Sequence, residues 1–183
     1  DAIAESGADA IRWYLLTVSQ PWVPKRFDAA VVGEASRRTF DTLANTYRFF
    51  ALYANLEDWT PSEADPEPLA RSVLDRWILS RLDTLAGEVS QDIEAYELTR
   101  AARMIGDFVV EDLSNWYVRR GRDRYWGSAN AADTRAAFRT LHEVLVGVAR
   151  LLAPFTPFHA DWLHRALTGE SVHLAQYPAQ AGF

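Results

Sequence analysis

Asp133-Thr134-Arg135-Ala136-Ala137-Phe138-Arg139-Thr140-Leu141-His142-Glu143-Val144-Leu145-Val146-Gly147-Val148-Ala149-Arg150-Leu151-Leu152 decides the fold. Phe138, Leu141, Leu145, Val148 and Leu152 recur at steps of 3, 4, 3 and 4, the spacing of a helix that packs along one seam of a bundle. Asp133 is placed to cap this helix, and Pro154 and Pro157 end it. The same spacing recurs along the rest of the chain. An amphipathic helix over Gly7–Val18 is interrupted by Pro21 and Pro24. Asp28 is placed to cap a long helix running to about Glu57, with Val32, Ala35, Leu43, Tyr47, Phe50 and Ala54 near one face. Thr60–Pro68, with three prolines, reads as a surface loop. A third stripe comprises Leu74, Ile78, Leu82, Leu85 and Val89. A fourth, over Leu98–Trp126, comprises Leu98, Ala102, Ile105, Val109, Leu113 and Trp116, and Gly127-Ser128-Ala129-Asn130 breaks it. A last short helix carries Trp162, Leu163 and Leu167, with Gly169 closing it and Ser171-Val172-His173-Leu174 as an extended tail. The spacing predicts an all-α, antiparallel, up-and-down helical bundle without internal repeats.

Composition restricts what such a bundle does. At 183 residues, 49% hydrophobic and 24% charged, the chain suits one globular domain. No apolar run approaches the ~18 residues of a membrane span, and no leader-like segment opens the chain, so a soluble cytoplasmic protein without a membrane partner is expected. The absence of cysteine excludes disulfides and cysteine-ligated metals. The net charge of −6 does not suit a general nucleic-acid coat. The charge is uneven, however: Ser114–Arg139 holds six arginines against two aspartates, whereas Glu57–Glu97 holds eleven acids against three arginines. The acidic helix near Asp75, Asp83 and Asp92 is expected to face away from any RNA.

The basic segment is Ser114-Asn115-Trp116-Tyr117-Val118-Arg119-Arg120-Gly121-Arg122-Asp123-Arg124-Tyr125-Trp126. Guanidinium groups match phosphate oxygens, and aromatic rings stack on bases, so RNA binding is the chemistry this mixture points to. At helical spacing Arg119 and Arg122 share one flank, and Arg120 and Arg124 share another roughly 150° away. Trp116 falls on the apolar stripe and is expected in the core. Arg120 continues that stripe and has an acid inside the bundle as an alternative partner. Candidate RNA-binding residues are Asn115, Arg119, Arg120, Arg122, Arg124 and Trp126, with Arg38 as a supplementary phosphate contact. For Asn115 a contact within the bundle is the alternative, and for Arg37, Arg38 and Arg48 a solvated face is. Lys25 and Arg26 are further candidates at the start of the bundle. Gly121 permits either a close backbone approach or fraying. No catalytic or metal-ligating residue is expected. His159 and His164 are five apart, not four, while His142 and His173 read as packing residues. Asp107 is an i, i+4 partner for Arg103.

Several separated segments resemble one family. Gly7-Ala8-Asp9-Ala10-Ile11-Arg12-Trp13-Tyr14-Leu15-Leu16, Pro21-Trp22-Val23-Pro24-Lys25-Arg26-Phe27, Asn115-Trp116-Tyr117-Val118-Arg119-Arg120 through Trp126, Leu152-Ala153-Pro154-Phe155-Thr156-Pro157-Phe158 and Ser171-Val172-His173-Leu174 are similar to stretches of the isoleucyl-tRNA synthetases. They match the helical anticodon-binding domain on the C-terminal side of the catalytic core. The arginine string is similar to the version in the eukaryotic-like branch, which some bacteria share. The resemblance implies a connecting segment over 1–27, a bundle over 28–183, and isoleucine tRNA (anticodon stem-loop) as partner. It also implies a longer enzyme whose catalytic and C-terminal domains lie outside this chain and which ligates isoleucine to tRNA with ATP and magnesium. The chain lacks the HIGH and KMSKS signatures, so no cofactor is expected in it and no catalysis by it alone. An interdomain or protein–protein helical module, or the equivalent domain of a valyl-tRNA synthetase, is the alternative.

Overall fold

The computed structural model describes residues 2–24, 27, 29–126 and 131–182. Lys25, Arg26, the expected cap Asp28 and the expected break at Gly127–Asn130 lie outside the described residues. Among the described residues every regular element is helical. In order they are α1 (Ala2–Ser6), α2 (Ala8–Thr17), α3 (Ala29–Leu56), a 3₁₀ turn (Pro68–Ala70), α4 (Val73–Glu94) and α5 (Leu98–Asp107). A π-helical run (Phe108–Val118), a short α turn α6 (Arg119–Gly121) and a 3₁₀ turn (Arg122–Tyr125) continue α5. Then come α7 (Ala131–Leu152), α8 (Pro157–Thr168) and a final 3₁₀ turn (Val172–Leu174).

Local sequence fixes several ends. Ser72 and Asp75 form a reciprocal capping box that starts α4. Pro157 occupies the first turn of α8, where its missing N–H costs nothing, and Gly169 ends that helix at φ +80°. Asp133 does not cap α7; the helix already begins at Ala131, and the carboxylate accepts from Arg124 instead. The expected extended tail is a 3₁₀ turn capped by the Ser171 hydroxyl. Val172 is the residue buried there, while His173 is exposed rather than packed.

The α7 seam is as periodic in space as in sequence. Phe138, Leu141, Leu145, Val148 and Leu152 are all fully buried, in one core with Leu43, Phe50, Ile78, Leu85, Val89, Ile105 and Val109. α2 joins this core through Trp13. Arg12 donates to the carbonyls of Phe155 and Pro154 at 3.0 and 2.9 Å, fastening α2 to the α7–α8 corner. Arg103 donates to the carbonyls of Thr17 and Val18 instead of pairing with Asp107, because those carbonyls end α2 without helical partners.

The fourth stripe departs from expectation after Asp107. An i→i+5 turn takes in more residues than an α turn, so a spacing of four now holds one face inward. Val109, Leu113, Tyr117, Gly121 and Tyr125 are buried, and Trp116, expected in the core, is turned out with 48% of its surface exposed. Two acids of α4 lie inside the bundle. Asp75 is 0% exposed and Asp92 4%, each bound to an arginine, because a buried carboxylate needs a donor set to replace water.

Candidate nucleic-acid interface

The basic segment divides into one arginine anchored on carboxylates and three that pair with no carboxylate among the described residues. The Arg124 guanidinium donates to both Asp75 oxygens at 2.8 and 2.7 Å and to the Asp133 carboxylate at 2.8 and 2.7 Å. Asp75 also accepts from the Tyr117 hydroxyl at 2.7 Å and the Ser72 hydroxyl at 2.8 Å. Burial pushes the Asp75 carboxyl up, but Arg124, Tyr117 and Ser72 together outweigh it and hold it below the usual range. Burial raises the Tyr117 hydroxyl well above its ordinary value. The expected phosphate contact from Arg124 is therefore replaced by an internal one: both edges of its guanidinium are spent on carboxylates.

Arg119 and Arg122 share a flank, as their spacing predicts, and no carboxylate among the described residues pairs with either. They line a shallow groove of about 300 Å³ with Asn115, Ser114 and Val118 on one wall and Asn45, Thr46 and Phe49 of α3 on the other. The Arg122 guanidinium lies 5.6 Å from the ring centroids of both Phe49 and Trp126. Trp126 is half-exposed and packs beside Tyr53 at 5.2 Å, so the aromatic wall continues along α3. Beyond the groove, Glu111 bridges Asn115 and Arg38, accepting from each at 3.1 Å. Both members of the Arg38–Glu111 pair are more than half exposed, where such a pair contributes little and exchanges readily. Arg120 is on the other flank. Its guanidinium sits 4.4 Å from the Trp116 ring centroid and pairs with no acid among the described residues.

Asn45, Phe49 and Tyr53 were not legible as site residues in the sequence. Their only signal is spacing, four apart on α3 beside a stripe that looked wholly structural. Arg48 donates to Asn45 at 3.0 Å on the same helix, and Arg37 donates to the Gly33 carbonyl. The acids of the π-helical run are bound as well, Asp112 to Arg81 and Glu111 to Arg38. His142 reaches the Leu167 carbonyl among Phe50 and Trp59, the structural role expected of it. Buried His164 binds the Glu170 carbonyl. Among the described residues no group of three histidine, aspartate or glutamate side chains could hold a metal, and no helix is long and apolar enough to cross a membrane.

This helical bundle has the architecture of the anticodon-binding domains of class I tRNA ligases. The chain belongs to that family: the family described as "Anticodon-binding domain of tRNA ligase" matches residues 75–183. It is 49% identical over 180 residues to isoleucine–tRNA ligase of Porphyromonas gingivalis, an alignment covering 97% of this chain and 16% of that protein. To isoleucine–tRNA ligase 2 of Bacillus thuringiensis subsp. konkukian it is 48% identical over 178 residues, covering 97% and 17%. Among solved structures it is similar in fold to the LeuRS of a LeuRS–tRNA–LeuAMS ternary complex from Agrobacterium radiobacter. There the TM-score is 0.67 at 22% identity, covering 98% of this chain and 21% of that one. The chain thus spans about a sixth of the length of the curated relatives named here.

Proposed function

We propose that this domain holds the anticodon stem-loop of isoleucine tRNA, serving a longer ligase that joins isoleucine to tRNA with ATP and magnesium in the cytoplasm. The observation that carries the reading is the groove wall on which Arg119 and Arg122 present guanidinium groups not paired with a carboxylate among the described residues. Phosphate oxygens supply the bidentate acceptors these groups lack. Asn115 and Asn45 offer amides that both donate and accept, and Trp126 and Phe49 offer flat faces. Arg38 reaches phosphate by exchanging Glu111 for a stronger anion. Arg124 takes no part in contact and instead holds the segment in place. The high identity to bacterial isoleucine–tRNA ligases supports isoleucine as the amino acid, and the asparagine–tryptophan–tyrosine–valine–arginine–arginine string supports the branch shared with eukaryotes. Within the longer enzyme the catalytic and C-terminal domains are the other partners.

The test is fluorescence anisotropy of a labelled isoleucine anticodon stem-loop across a salt series. Two or three neutralised phosphates give a log–log slope of about −1.4 to −2.7, and Arg119→Ala with Arg122→Ala should flatten it by about one to two. Unchanged binding in the double variant with helicity intact would overturn the reading in favour of an interdomain module.

A further inference from the structure

The flank of the basic segment opposite the groove carries a second arrangement. Trp116 is 48% exposed although its neighbours Leu113 and Tyr117 are fully buried. It is out because the run Phe108–Val118 is π-helical; continuing the α-helical phase of α5 would have put it on the apolar stripe. Hydrophobic burial favours the opposite outcome for a large apolar side chain. A π-helical run is uncommon and concentrates at functional sites. Arg120 lies over the exposed indole at 4.4 Å from its centroid, and Trp77 of α4 stands beside it at 6.4 Å and 58°. Arg120 pairs with no carboxylate among the described residues, and Asp112, one turn back from Trp116, is already held by Arg81. The Arg120 guanidinium thus has no paired carboxylate among the described residues, and the surface beside it is planar and stackable.

We propose that the Trp116–Arg120 pair is a platform for one unstacked base of the bound RNA, so that the basic segment grips phosphate on one flank and a base on the other. The proposal rests on the RNA reading above and adds a second subsite to it. Charge selects the occupant: an aromatic platform topped by a free guanidinium suits a base tethered to phosphates, and a guanidinium plane itself stacks on bases. A duplex or loop is wider than one helix, whose diameter is about 10–12 Å, so both flanks are within reach of a single stem-loop.

The test compares Trp116→Ala and Trp116→Phe in stem-loop anisotropy, using isoleucine stem-loops intact or made abasic at one loop position at a time. Trp116→Ala should weaken the intact loop by about 5- to 160-fold, the range for loss of one base–aromatic stack, while Trp116→Phe stays near the parent. One abasic loop should bind the parent and the alanine variant alike, which a merely structural role for Trp116 does not predict. Equal affinity of parent and alanine variant for the intact loop overturns the platform. So does a loss of the same size on every abasic loop. If Arg119→Ala with Arg122→Ala still flattens the salt slope, the platform alone has failed; if neither flank matters, the RNA reading falls with it.

Discussion

Asp75 is the point at which the basic segment is fastened to the bundle, and Asp75→Ala tests how firmly. Its carboxylate is 0% exposed and serves Arg124 on both oxygens, the Tyr117 hydroxyl and the Ser72 cap. The substitution leaves Tyr117 Oη buried without its acceptor and Arg124, 17% exposed, with Asp133 alone. Breaking a buried pair from one side costs about 3–5 kcal/mol, because the remaining charge stays desolvated. Asp133 limits that cost, since it retains half of the guanidinium, and loss of the capping box adds about 1 kcal/mol. A destabilisation of about 3–5 kcal/mol follows, which for a chain of this size lowers Tm by about 6–20 °C. Urea denaturation of parent, Asp75→Ala, Tyr117→Phe and the double variant is the assay. Tyr117→Phe removes one bond to a charged acceptor and should cost about 1–2 kcal/mol. The double variant should cost clearly less than the sum, because both changes break one interaction. An Asp75→Ala cost under about 1 kcal/mol, or strict additivity, would refute the argument that this network holds the segment.

The pH profile of stability should show two declines on acidification. Burial lowers the His142 pKa against the partial opposition of the Leu167 carbonyl, so the unfolded chain binds the proton more readily and stability falls as pH drops below about 6.5. Asp75 and Glu143 are both held below their usual values near 3.8 and 4.5, burial being outweighed by Arg124 and Tyr117 for one and by Arg71 and Arg139 for the other. Their contributions are complete above about pH 4.5 and are lost as pH falls through the folded values; a profile rising toward acid would contradict both assignments. Gly106 allows α5 to approach α2 and α3, since a Cβ there would lie 3.2 Å from the Trp13 ring and 3.2 Å from Thr39 Oγ1. Gly106→Val should therefore cost about 1–3 kcal/mol in denaturant melts, and a neutral result would mean that Trp13 is free to move.

Legibility followed interaction range. The sequence by itself determined the helical class, the α7 seam, the stop at Gly169 and the concentration of arginine after Ser114, because these depend on side-chain period, backbone permissiveness and composition. It also placed Arg119 and Arg122 on a shared flank, since three residues along a helix bring side chains to neighbouring positions whatever surrounds them. It did not determine the phase of the helix past Asp107, and so put Trp116 inside. Which of i→i+4 and i→i+5 bonding prevails there depends on packing against α3 and α4, which the local pattern does not contain. Nor did it separate Arg124 from its neighbours: four arginines in a row of thirteen residues look alike until Asp75, forty-nine positions earlier, takes one of them. Only tertiary structure decided which guanidinium groups are bound by carboxylates and which pair with none among the described residues, because that choice is made by carboxylates brought near through folding.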